Sequence, residues 1–131
     1  MANPQTRDKD QALQDFWSGF GLTAYEENAV PDTAMADSGG HYITYNAQTG
    51  SFDERFPLSA NLWYRDPSWA AICKKAQAIA EHIGPGGVLV PFAGGYLWLC
   101  RGVPFSQRLA DDDDNIRRIY INLMAESLSV N

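Results

Sequence analysis

The chain has 131 residues, with ten Lys and Arg against sixteen Asp and Glu and a net charge of −6. That is the length of one ordinary domain, able to bury roughly two-thirds of its unfolded surface without a staple, and the acidic balance argues against a nucleic-acid grip built on neutralised phosphates. A content of 45% hydrophobic residues with four Trp, six Tyr and six Phe excludes a disordered chain. No stretch approaches the ~20 apolar residues of a membrane span, and the start, MANPQTRDKDQ, lacks the apolar core of a signal peptide, so a soluble protein outside that export route is expected. Cys73 and Cys100 stand far apart in apolar segments without metal-ligand spacing and are expected as buried, reduced thiols.

Residues 6 to about 20, TRDKDQALQDFWSGF, place Leu13, Phe16, Trp17 and Phe20 at i, i+3, i+4 and i+7, one stripe of an amphipathic helix. Thr6 or Asp8 suits its start, and Gly19 and Gly21 its end. A short extended segment follows, then a polar loop at 28–40 with Pro31, Gly39 and Gly40 as breakers, expected to be mobile. HYITYNAQT at 41–49 alternates as a strand, and FPLSANLWYRD sets Leu58, Ala60, Leu62 and Tyr64 on one face against Ser59, Asn61, Trp63 and Arg65 on the other, so the two runs predict an antiparallel hairpin.

DPSWAAICKKAQAIAEHIGPGG at 66–87 is the clearest helix: Asp66 at the N-cap, Pro67 in the first turn, and Gly84 with Pro85 as the stop. Trp69, Ile72, Cys73, Ala76, Ile79, Ala80 and Ile83 form its buried stripe, with Lys74, Lys75, Gln77 and Glu81 outside. VLVPFA and YLWLCRG then read as strands joined by a Gly94-Gly95 turn. An acidic connector at 106–115 precedes a last strand in which Ile119, Ile121, Leu123 and Ala125 alternate with Tyr120, Asn122, Met124 and Glu126. The order α, β, β, β, α, β, β, β predicts a single α+β domain over 1–131, a mostly antiparallel sheet with two helices packed on one face.

Candidate chemistry is sparse. His41 and His82 lie in no motif, GxSxG does not occur, and the glycine pairs at 86–87 and 94–95 lack the phosphate-loop pattern and read as turns. The run Asp111, Asp112, Asp113, Asp114 is the one feature that raises a metal-dependent hydrolase as a remote alternative. Consecutive carboxylates repel and fan outward, however, instead of converging from separate elements, and they do not match the alternating calcium loop. A solvated or electrostatically useful loop is the better reading. Alternation sends Arg117 and Arg118 to opposite faces, one to pair with the preceding carboxylates, worth ~0.2–1 kcal/mol, and the other towards a neighbour. Trp63, Tyr64, Trp69, Tyr96 and Trp98 read as core, with a dimeric ligand-binding domain built on exposed aromatics as a third class.

The succession of YITYNAQTGSF, the WYRDPSW junction into the helix, the GGYLWLCRGVPF hairpin and the acidic stretch before IRRIYIN resembles a family of tail terminators encoded in the tail-gene clusters of long-tailed bacteriophages and prophages of Gram-positive hosts, over residues 41 to about 128. The resemblance implies a tail-terminator-like α+β fold and a virion structural protein of the tail and neck region, made in the host cytoplasm. It implies a homo-oligomeric ring, a hexamer, that caps the head-proximal end of the tail tube and offers a head-joining surface. The implied partners are the tail tube protein and a head-side connector protein, and DNA passes through without tight binding. A head-completion protein, neck connector or other minor tail protein is the neighbouring alternative. The family carries no catalytic residue, cofactor or metal to transfer. Asp111 to Asp114 and Arg117 match its acidic stretch and basic pair, although four Asp is longer and more acidic than the family's stretch. With Arg118 and Arg101 they are the expected lumen or subunit-contact residues, and the 28–40 loop is expected to face the tube or connector and to order on assembly.

Overall fold

A computed structural model describes residues 8–47 and 55–129. Thr6 and the turn-like stretch that follows Ala47 lie outside the described residues. The elements run α1 (Lys9–Ser18), β1 (Thr23–Glu26), α2 (Ala34–Asp37), β2 (His41–Tyr45), β3 (Arg55–Arg65), α3 (Ala70–Ile83), β4 (Val88–Phe92), β5 (Gly95–Leu109) and β6 (Ile116–Ser129). The fold is α+β, with six strands in the order β1-β2-β3-β6-β5-β4. Every neighbouring pair is antiparallel except β1 with β2, which run parallel.

Alternation along β3 and β6 builds the core. Leu58, Ala60, Leu62 and Tyr64 stand against Leu123, Ile121, Ile119 and Arg117 in register, and the apolar members of both rows are buried. Over them lie Leu13 and Trp17 of α1 and Ile72, Ile79 and Ile83 of α3, each with at most 1% of its surface exposed. Burying a side chain of this size contributes roughly 1.5–3 kcal/mol, so this face supplies most of the drive to fold. Helix α1 touches both β1 and β4, the two outermost strands of the sheet: the Gln14 amide donates to the Ala24 carbonyl at 3.0 Å, and Lys9 Nζ lies 5.4 Å from the Phe92 ring centroid. The sheet therefore curves around α1.

Three local features depart from the expected pattern. The long helix starts at Ala70 and not after Asp66. Asp66 instead accepts the Ser68 N–H at 2.9 Å and Ser68 Oγ accepts the Ala70 N–H at 3.1 Å, a pair of side-chain turns that hold Pro67 ahead of the helix, where the residue before a proline is driven out of the α region. The helix ends at Gly84, whose φ of +71° favours glycine. The 28–40 segment carries a third, single-turn helix, α2, with Ala34 buried and Thr33 donating to Asp37 at 2.6 Å. The β4–β5 turn is Ala93-Gly94, while Gly95 already pairs with Phe92. A Cβ on Gly95 would sit 2.0 Å from the Leu128 carbonyl oxygen, so close strand approach requires glycine there.

The connector after β5 is also shorter than 106–115, because β5 continues to Leu109. It does so through a large bulge: Arg101 pairs with Leu123 and Ser106 with Ile121, leaving Gly102, Val103, Pro104 and Phe105 opposite Asn122 alone. The bulge inverts the alternation. Leu97, Leu99 and Arg101 face the helices before it; Ser106 and Arg108 face them after it.

Candidate functional site

Six of the seven residues singled out by sequence gather at the end of the sheet where β6 begins. The acidic run folds as consecutive side-chain turns: Asp111 Oδ1 accepts the Asp113 N–H at 2.9 Å, and Asp113 Oδ1 accepts the Asn115 N–H at 2.8 Å. The Asp113 carbonyl accepts the Ile116 N–H at 3.0 Å, which starts the strand. Two carboxylates are thereby spent on backbone donors, and those of Asp112 and Asp114 point to solvent. Among the described residues no group of three or more His, Cys, Asp or Glu side chains could hold a metal ion.

The arginine pair does face opposite ways, but neither member pairs with the acidic carboxylates. Arg117 turns to the helix side, donates to the backbone carbonyls of Asp114 at 2.8 Å and Pro67 at 2.7 Å, and lies over the Trp69 ring at 5.4 Å. The ion pair with the run is made instead by Arg65, 3.7 Å from Asp113, because the antiparallel β3–β6 register brings the end of β3 beside the turn. Arg118 turns to the face of the sheet away from α1 and α3, donates to Asn61 Oδ1 at 2.9 Å and lies over the Trp63 ring at 4.7 Å.

That face, opposite α1 and α3, carries an aromatic ladder across three strands. Tyr25 meets Tyr42 edge-on at 5.8 Å, Tyr42 stacks on Trp63 at 5.9 Å and 10°, and Arg118 completes the stack. Trp63 Nε1 donates to Thr44 Oγ1 at 2.9 Å, which fixes the ring. Burial, then Asp111, then Tyr25 push the Tyr42 hydroxyl above the usual tyrosine range. Of the five aromatics expected in the core only Tyr64 is buried there. Trp63, Tyr96 and Trp98 are half-buried on the open face, and Trp69 is half-buried beside the start of α3. Alternation alone separates Tyr64 from Trp63, and the signal was present in the sequence.

Arg101 is the outlier. It lies opposite Leu123, away from the turn, and donates to the Ala80 carbonyl in α3 at 2.9 Å. After the bulge Arg108 returns to the same side, donates to Cys73 Sγ at 3.2 Å and lies over Trp69 at 4.9 Å. Beside Arg108, α3 and β5 leave a groove of about 310 Å³ floored by Ala76, Gln77, Ala80, Phe105 and Ile119, with Arg101 bonded to Ala80 at its edge. Arg108 had no sequence signal, since its orientation depends on the bulge; Gly102 and Pro104 inside an otherwise continuous strand were the only hint of one. Cys73 and Cys100 are free thiols, both half-buried rather than fully buried. His41 stacks on Tyr64 at 4.1 Å with a buried, unpartnered Nδ1, whereas His82 is exposed beside Phe16 and Phe20.

No protein-family model matches the sequence, and no curated protein matches it. A chain in the solved virion of a native gene transfer agent (GTA) particle is similar in fold, with a TM-score of 0.54 over 92% of this chain and 91% of that one at 17% identity. The likeness is one of fold, and it extends over nearly the full length of both chains.

Proposed function

We propose that this chain is a structural protein of a phage-like virion and, within it, a tail terminator: a homo-oligomeric ring, a hexamer, that seats on the head-proximal end of the tail tube, stops its growth and presents the surface for a head-side connector. The observation that supports this most directly is the near full-length likeness in fold to a chain of a gene transfer agent virion. The resemblance carried by WYRDPSW, GGYLWLCRGVPF and the acidic stretch before IRRIYIN points the same way. In this reading no residue is catalytic and no cofactor is used. The working parts are surfaces: the aromatic ladder on the open sheet face, the acidic turn, and the groove beside α3. A net charge of −6 suits a passage through which DNA slides without adhering.

Deleting the gene in its phage or prophage and imaging the particles by electron microscopy tests the assignment. Abnormally long, headless tails are expected. Normal tails beside unattached heads would move the protein to the head-completion side of the joint, and infectious, normal particles would end the structural reading altogether.

A further inference from the structure

The groove between α3 and the outer half of β5 sets Ala76, Ala80, Phe105 and Ile119 beside the guanidinium of Arg108, and Arg101, bonded to Ala80 of the groove wall, stands next to it. Arg108 anchors on Cys73 and Arg101 on Ala80, seven positions apart on one helix and therefore separated by roughly 10 Å along its axis. Both side chains are exposed, and among the described residues neither has a carboxylate at ion-pair distance. The same chain carries the complement. Asp112 and Asp114 sit at the tip of the β5–β6 turn, exposed and without an ion-pair partner among the described residues, while Asp111 and Asp113 are held by backbone donors. The Asx turns hold the tip in shape, which lowers the ordering cost of docking it. Two residues two apart span up to about 7 Å between Cα atoms, and flexible arginine stems cover the remainder.

We propose that this groove receives the acidic turn of a second copy of the chain, with Asp112 and Asp114 of the incoming turn paired to Arg108 and Arg101. Charge complementarity selects this occupant: the groove carries Arg108 and is flanked by Arg101 in a protein of net charge −6, and the turn is the densest acidic feature of the sequence. Tip and groove are different patches, so the contact is of the heterologous type that closes into a ring when the rotation allows. The proposal rests on the ring-assembly reading for the setting in which copies meet, and it adds the surfaces that join them.

Charge reversal tests it. Self-association of the full chain is followed by sedimentation from about 1 μM to about 1 mM, and in assembled particles by cross-linking. D112R/D114R is expected to weaken association by on the order of tenfold or more, as is R101E/R108E, and mixing the two variants restores association, because the unaltered turn of one meets the unaltered groove of the other and the reversed turn meets the reversed groove. Arg101 and Arg108 also hold α3, so the turn variant carries the test should the groove variant unfold. For the second readout, Asp112→Cys on one copy and Gln77→Cys on another are treated with a short bismaleimide, with native Cys73 and Cys100 setting the background. A heterodimer band specific to the mixture supports the contact. A monomer at every concentration together with no such band in particles overturns it, as does capture of a different virion protein at position 77. Normal tails after gene deletion would end the terminator reading yet leave a 112–77 cross-link standing. Wild-type tail capping with the D112R/D114R variant would end this contact and leave that reading intact.

Discussion

The two faces of the sheet are made from the same strands by the same alternation, yet they do different work. On the covered face Leu58, Leu62, Ile121 and Leu123 meet Leu13, Trp17, Ile72 and Ile79, all excluded from water. On the open face Tyr42, Trp63 and Arg118 stack on one another and Arg118 donates to Asn61, while all of them remain half-exposed. A face organised by side-chain ladders is ordered before anything docks on it. Stability should therefore be concentrated on one side and contact capacity on the other, with the arginine pair 117–118 marking the division one residue at a time.

Mutations on the covered face should break the protein outright. Trp17→Ala is expected to cost about 3–5 kcal/mol and Ile121→Ala about 2–5 kcal/mol, read as a shifted urea midpoint at an unchanged slope. Trp17 also keeps a buried indole N–H without a partner, so Trp17→Phe should cost clearly less than Trp17→Ala. Equal losses would mean that packing there is looser than the 0% exposure of Trp17 implies.

Alkaline pH tests both faces together. Burial pushes the hydroxyls of Tyr45 and Tyr64, on the covered face, above the usual value, with Glu26, Asp10 and Asp15 adding to the effect at Tyr45; Tyr42, on the open face, is raised by burial and by Asp111. The unfolded chain therefore loses these protons first, at about pH 10. Their contribution to stability is complete below that pH and falls as pH rises from there through the higher folded-state values. Denaturant titrations between about pH 9 and 11 should show the decline, and Tyr64→Phe should flatten it. An undiminished slope in that variant would place the alkaline sensitivity elsewhere.

Much of this architecture was legible because periodicity encodes it. Period 2 in β3 and β6 placed their rows on the covered face, and the stripe in 70–83 placed Ile72, Ala76, Ile79 and Ile83 there while Trp69, Cys73 and Ala80 of the expected stripe stay half-buried; the β2–β3 hairpin followed from the break between two alternating runs. What escaped was set by contacts distant in sequence or by backbone irregularity. The parallel pairing of β1 depends on β2, beyond a loop and a single-turn helix, and the start of α3 on competing side-chain turns at Asp66 and Ser68. The bulge at 102–105 inverts the faces of β5, so no periodic reading could place Arg108 beside Arg101. For the candidate site, the acidic turn and the opposed arginines were visible, whereas the groove beside Arg108 was not.

On the open face, Trp63→Ala removes the stack with Tyr42, the seat of Arg118 and the bond to Thr44. The expected cost is about 1–3 kcal/mol, below the covered-face substitutions. If this face makes a virion contact, assembly should fall further than the loss of stability explains, measured as capped tails per folded monomer. Proportional losses would leave the face a structural surface only.

The smallest effect separates the shape of the acidic turn from its charge. Arg65 and Asp113 pair at 3.7 Å with side chains 52% and 43% exposed, so Arg65→Ala should cost less than ~1 kcal/mol, and less still in high salt. Asp113→Ala removes the same pair and also the acceptor of the Asn115 N–H, which adds about 0.5–1.5 kcal/mol. Unlike the ion pair, that share should persist in high salt. If the two variants lose equal stability at every salt concentration, the turn is held by its ion pair; if the difference survives added salt, the aspartates serve first as backbone acceptors that shape the tip, and their charge is left for whatever meets it.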